Sequence, residues 1–131
     1  NAMDVGNPSN FIRIQELFNN NIDNLKNAFS SYSFTDDETR KAMKTIYNNS
    51  NYIADPHGAV GYLGIKKYQK TTVDFLGVFL ETAHPVKFLD IVENTLNVQL
   101  AIPKQIKTVI NKEKTAIKIS SYLELKQFLN S

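Results

Sequence analysis

The sequence predicts a helix-rich α/β domain, and three observations carry that prediction. Residues 75–80 (Phe75, Leu76, Gly77, Val78, Phe79, Leu80) are apolar at odd and even positions alike. That is how a central strand of a parallel sheet reads when helices cover both of its faces. Apolar side chains at helical spacing recur through most of the remaining chain, and helix-start signals stand at Thr35, Asp55 and Ser121. Helix dominates, with only two or three strands expected, one of them at residues 117–119.

Taken in order, residues 5–10, VGNPSN, are turn chemistry: Gly6 permits positive φ, and Pro8 with Ser9 opens a helix. Phe11, Ile14, Leu17 and Phe18 then follow a helical stripe. Asn19, Asn20 and Asn21 interrupt it, and Ile22, Leu25, Ala28 and Phe29 restart it, so two helices and one kinked helix fit equally well. Thr35, Asp36, Asp37 and Glu38 form a strong helix start, because the Thr35 hydroxyl accepts from the N–H of Glu38 while the Glu38 carboxylate reaches back. The acids also suit the positive end of the helix dipole. Ala42, Met43, Ile46 and Tyr47 make the apolar side of that helix, and residues 48–51 end it.

Asp55 fits an N-cap and Pro56 the first helical position, which predicts a helix to about Lys67. Gly58, Gly61 and Gly64 recur along it. Each glycine costs about 1 kcal/mol of helix stability relative to alanine, so the row implies that something comes close to the backbone there. The 73–96 stretch follows, VDFLGVFLETAHPVKFLDIVENTL. Its apolar strand gives way to Glu81, Thr82, Ala83 and His84, and Pro85 then begins a segment with Phe88, Leu89, Val92 and Leu96 on one helical face. Pro103 opens a short helix with Ile106, Val109 and Ile110; Ile117 and Ile119 alternate with Lys118 as in an edge strand; and Ser121 with Glu124 makes a second capping box before Tyr122, Leu125 and Leu129. A strand apolar on both faces needs strand neighbours for its backbone groups, and this chain offers few. It reads as part of a sheet whose other strands lie elsewhere.

The totals exclude several classes. The 131 residues make one domain's worth of chain or a piece of a larger one, and an apolar fraction of 42% is enough for a core. The formal net charge is +2, with lysines scattered among acids, so neither a nucleic-acid nor a membrane surface is expected. The cluster of Lys66, Lys67 and Lys70 reads as a solvated helix face. No cysteine is present, which removes disulfides and thiolate metal sites and makes a cytoplasmic location unremarkable. No apolar run reaches the roughly 20 residues of a membrane helix.

Among residues able to do chemistry, His57 and His84 lie outside any HExxH spacing, so no metal site is expected, and each stands beside a proline where a local hydrogen bond to backbone explains it. No GxSxG elbow, GxGxxG turn or GxxxxGK[ST] loop occurs; Ser121 is more simply a cap, and the acids at 36–38 are more simply solvated. What stands out is Thr82. Open α/β sheets hold ligands at the carboxyl ends of their strands, and Thr82 sits where a buried strand ends in hydroxyl and imidazole groups before a helix.

Three segments add to this reading: residues 3–10, MDVGNPSN; residues 54–62, ADPHGAVGY; and residues 81–88, ETAHPVKF. Together, in this order and separation, they resemble the carboxyl-terminal part of threonine synthase of the bacterial and fungal type, which also has a stretch similar to TDDET. The resemblance spans nearly the whole chain, 1–131. It implies part of the large domain of a tryptophan-synthase-like (fold type II) pyridoxal-phosphate enzyme, whose reaction converts O-phospho-L-homoserine and water to L-threonine and phosphate. In that family the Thr of the TAHP segment hydrogen-bonds the pyridine nitrogen of the cofactor, a role that falls here on Thr82. A neutral hydroxyl there holds no fixed charge, which moderates the ring as an electron sink.

The resemblance also makes Asp55, His57 and His84 members of the pocket wall, although an N-cap explains Asp55 and turn shaping explains His84 without any ligand. The family's cofactor-binding lysine and Gly-rich phosphate loop lie in an earlier segment and have no counterpart here. The expectation is therefore a truncated piece, inactive alone. The rival expectation is a stand-alone helical binding or oligomerisation module of the same ancestry, whose exposed strand edge recruits a partner; for the isolated piece, self-association through residues 75–80 is expected. Another cofactor enzyme of the same fold, such as a dehydratase, matches the TAHPVKF wording less closely.

Overall fold

The computed structural model describes residues 7–72 and 74–131. Residues 3–6 of the opening MDVGNPSN segment, with the Gly6 turn, and Val73 at the head of the 73–96 stretch lie outside them. The chain divides into two units, Asn1–Leu100 and Ala101–Ser131.

The first unit is built on α3 (Asp36–Ser50), and its start follows the local chemistry. The Thr35 hydroxyl accepts from the Glu38 N–H at 3.3 Å while the Glu38 carboxylate accepts from the Thr35 N–H at 2.7 Å, a complete capping box. These bonds from Thr35 hold the Glu38 carboxyl below its ordinary pKa, the backbone one most strongly. The helix ends at Asn51, whose φ of 55° is left-handed, a conformation Asn tolerates better than most residues. Ala42, Met43 and Ile46 form its buried face. Against them pack α4 (Pro56–Tyr68) and α5 (Leu89–Leu96), bringing Ala59 and Val92 into one cluster with Ala54. Met43 and Val92 are completely buried, each contributing about 1.5–3 kcal/mol of apolar transfer, so they anchor the three helices.

The asparagine run resolves into two helices, α1 (Phe11–Leu17) and α2 (Ile22–Ala28). Asn19 and Asn20 take left-handed φ values of 51° and 55°, which no helix accommodates, and the Asn21 side chain then caps α2 by accepting from the N–H groups of Asp23 and Asn24. Phe18 and Phe29 meet edge to face across them, ring centroids 5.6 Å apart.

The expected strands are the main correction. Among the described residues no strand forms, at 75–80 or at 117–119. A strand exists only when a neighbour receives its backbone N–H and C=O groups, and no described segment does so here. The strand-like side-chain geometry nevertheless persists. Phe75, Gly77, Phe79 and Glu81 are partly buried, whereas Leu76, Val78 and Leu80 are 91%, 74% and 79% exposed. The expectation that helices cover both faces is therefore also corrected: one face packs on α4 and the other is bare.

The glycine row explains the packed face. A Cβ on Gly61 would stand 3.4 Å from the Cβ of Phe79, and one on Gly64 would stand 3.7 Å from the Tyr32 ring. Tyr62 meets Phe79 and Tyr68 meets Phe75, with ring centroids 6.2 and 5.2 Å apart. Lys66, Lys67 and Lys70 are exposed, with the Lys67 ammonium 5.2 Å from the Tyr32 ring centre.

Beyond residue 84 the chain first makes a 3-10 turn, Pro85–Phe88, and only then α5. The Phe88 φ of −123° separates the two. Val86 of the turn is buried, and Leu96 packs on the core. In the second unit, Pro103 precedes a single turn of helix, α6 (Lys104–Lys107), shorter than its apolar stripe predicts; Val109 and Ile110 fall beyond it and are exposed. Ser121 caps α7 (Tyr122–Asn130), but the Glu124 carboxylate accepts from the Ser120 N–H rather than from that of Ser121. No helix among the described residues is long and apolar enough to cross a membrane.

Candidate functional site

The site is assembled where the start of α4 meets the end of the extended segment. Asp55 is the N-cap the sequence predicts: its Oδ1 accepts from the Gly58 N–H at 2.9 Å, and its side chain is completely buried. The second oxygen, Oδ2, lies 3.0 Å from His57 Nδ1. A carboxylate placed there fixes the ring's orientation and favours a proton on Nδ1, leaving Nε2 as the free nitrogen. The His57 side chain is 53% exposed, and its ring lies 5.0 Å from that of Phe88. The local backbone bond expected of His57 is thus replaced by a bond to Asp55.

His84 makes the local bond. Its Nδ1 accepts from the Val86 N–H at 3.1 Å and so caps the 3-10 turn, which leaves Nε2 carrying the proton. Thr82 is exposed and shares the parity of Leu76, Val78 and Leu80. The structure therefore brings Asp55 and His57 together and joins the turn that His84 caps to them through Phe88. It leaves Thr82 on the bare face of the neighbouring segment.

One residue absent from the expected site is central to it. The Glu81 side chain turns inward onto Gly58, where any Cβ would overlap its carboxyl group. Its Oε1 is buried with no hydrogen-bond partner among the described residues. The Glu81 carboxyl is pushed up to about 7, first by desolvation, then by its hydrogen bond with Asp55 and the charge of that residue. Below about pH 7 the Glu81 carboxyl therefore holds a proton. The Tyr52 hydroxyl is also raised, by desolvation first and then by Glu81 and Asp55. A signal for Glu81 existed in the sequence: it is the charged residue that shares the parity of Phe75, Gly77 and Phe79, and a charge on the packed side of a strand needs a partner. Among the described residues no group of His, Asp or Glu is arranged to hold a metal ion.

The geometry defines a helix-rich chain with two oriented imidazoles at helix starts beside an exposed hydroxyl, and with the buried Asp55 and the partly buried Glu81 behind them. The family described as "Threonine synthase, C-terminal" matches residues 58–128, which include Glu81, Thr82 and His84. The chain belongs to that family. It is similar to threonine synthase of Haemophilus influenzae, 39% identical over 104 residues, covering 79% of this chain and 24% of that protein. Threonine synthase of Buchnera aphidicola subsp. Schizaphis graminum is 36% identical over 131 residues, covering 98% of this chain and 29% of that protein. In Schizosaccharomyces pombe the threonine synthase is 45% identical over 62 residues, covering 46% of this chain and 12% of that protein. The chain thus spans about a quarter of the length of the bacterial relatives it matches, 24% and 29% for the two above. No solved structure matches it.

Proposed function

We propose that this chain is the carboxyl-terminal portion of a pyridoxal-phosphate-dependent threonine synthase of fold type II, acting in the cytoplasm on O-phospho-L-homoserine and water to give L-threonine and phosphate. The observation that carries this reading is the family match over residues 58–128, which contains the whole ETAHPVKF segment. Thr82 is the residue that would hold the ring nitrogen. An exposed neutral hydroxyl beside the apolar row of Leu76, Val78 and Leu80 suits a flat aromatic ring with one polar edge. When bound, the cofactor supplies an electron sink for carbanion chemistry.

This chain's own residues bind and orient. Thr82 offers a hydrogen bond without a fixed charge, His57 and His84 present imidazoles with assigned orientations at the adjoining wall, and Asp55 acts from behind His57. On this reading the lysine and the phosphate loop come from the remainder of the protein, and the 131 residues alone do not turn over substrate. The test is phosphate release from O-phospho-L-homoserine, with pyridoxal phosphate present, by the full-length protein and by the isolated chain. Release by the first only agrees with the proposal; release by both overturns the assignment of the lysine elsewhere, and release by neither overturns the activity.

The bare row of Leu76, Val78 and Leu80 favours a second reading, self-association of the isolated chain. Sedimentation of the isolated chain tests it, and a concentration-independent monomer excludes it.

A further inference from the structure

We propose that Glu81 is a positioning residue for Thr82: by seating its carboxyl group on the bare backbone of Gly58, whose N–H Asp55 holds, it sets the parity of the segment and turns the Thr82 hydroxyl outward. The inference rests on the reading of Thr82 given above and adds to it the device that aims the hydroxyl. Three independent features of the geometry carry it.

First, adjacent side chains of an extended segment face opposite ways, so fixing Glu81 inward fixes Thr82 outward. Secondly, Gly58 leaves a space that the Glu81 carboxyl fills, and a Cβ there would overlap it. Thirdly, the seat is rigid: the Gly58 N–H donates to Asp55, itself completely buried and bonded to His57. The apolar contacts of Phe75 and Phe79 hold the same face toward α4, but a sliding strand loses little when one ring replaces another. A single carboxyl that must find one acceptor discriminates between registers in a way that rings do not.

The hold depends on a proton. The titratable groups around Glu81 are Asp55 and His57 from the first turn of α4 and Tyr52 from the approach to it. Losing the proton charges the Glu81 carboxyl in its seat on Gly58, which loosens the end of the segment.

The experiment has two arms. In the 131-residue chain, NMR follows the Glu81 side-chain carboxyl with pH, together with the cross-relaxation between the Phe79 ring and Gly61, for wild type, Glu81→Ala, Glu81→Gln and Gly58→Ala, with far-UV dichroism confirming the helices. In the full-length protein loaded with pyridoxal phosphate, the 15N shift of the cofactor ring nitrogen is read in the same variants and in Thr82→Val. Expected are a Glu81 midpoint in Gly58→Ala at least about one unit closer to an ordinary carboxyl, and loss of the Phe79–Gly61 signal in Glu81→Ala and Gly58→Ala. Glu81→Gln, which donates to Asp55 at any pH, retains that signal. The ring-nitrogen shift of Glu81→Ala moves in the same direction as that of Thr82→Val, and Glu81→Gln restores it.

An unchanged Phe79–Gly61 signal in Glu81→Ala and Gly58→Ala overturns the positioning role, and so does a Gln variant that behaves like Ala. An unmoved ring nitrogen in Thr82→Val overturns the placement of Thr82 itself, and the first arm then reports separately whether Glu81 sets the register.

Discussion

Tyr62 and Phe79 meet edge to face, ring centroids 6.2 Å apart and planes at 70°, and this contact marks which side of the extended segment is buried. The next residue, Leu80, is 79% exposed. Substitutions one position apart therefore have different outcomes. Phe79→Ala is expected to cost about 2 kcal/mol, below the roughly 3–5 kcal/mol of a fully buried phenylalanine. Leu76→Ser or Leu80→Ser is expected to stay within about 0.5 kcal/mol. Urea unfolding of the isolated chain reads both.

Two glycines of α4 separate in the same way. Alanine at Gly61 meets Phe79 at ordinary contact distance, 3.4 Å, and recovers helix propensity, so Gly61→Ala is expected to stabilise by up to about 1 kcal/mol. Gly58→Ala overlaps the Glu81 carboxyl and drives it from its seat, so this variant is expected to melt lower despite the propensity gain. Thermal melts of the two variants are expected to move in opposite directions.

Stability is expected to decline toward neutral pH. The Glu81 carboxyl titrates near 7 when folded and at its ordinary 4.5 when unfolded, so the folded chain holds the extra proton between those values. Its contribution is fully present below 4.5, falls as pH rises through about 7, and is flat above. Glu38 acts in the opposite sense: its lowered pKa gives a contribution present above 4.5 and lost as pH falls through the folded value. Melting temperatures across this range test both, and Glu81→Gln is expected to remove only the neutral limb.

Thr35 tests how much of α3 depends on its cap. Thr35→Ala deletes the hydroxyl that accepts from Glu38 and is expected to cost about 1 kcal/mol. Thr35→Ser keeps the acceptor and is expected to recover most of it, as read by denaturant midpoint.

These contrasts follow the boundary between what the sequence makes legible and what it does not. The caps at Thr35, Asp55 and Ser121 were legible because each depends on atoms within a few residues of itself. A close approach to the α4 glycines was legible too, and it is realised at Gly58, whereas Gly61 and Gly64 leave room for a Cβ at ordinary contact distance. The strand at residues 75–80 was not realised, because strand formation depends on a partner that no described residue provides. The start of α5 was displaced by the 3-10 turn that His84 caps. Glu81 escapes a reading by hydrophobicity alone, which marks only the end of a strand; its parity with Phe79 is the informative property.

The placement of Thr82 is tested most directly by a structure of the full-length protein with pyridoxal phosphate bound. The Thr82 hydroxyl oxygen is expected at hydrogen-bond distance, about 3 Å, from the pyridine nitrogen, with Glu81 still seated against Gly58. A cofactor nitrogen bonded by another residue, with Thr82 remote from the ring, would contradict it.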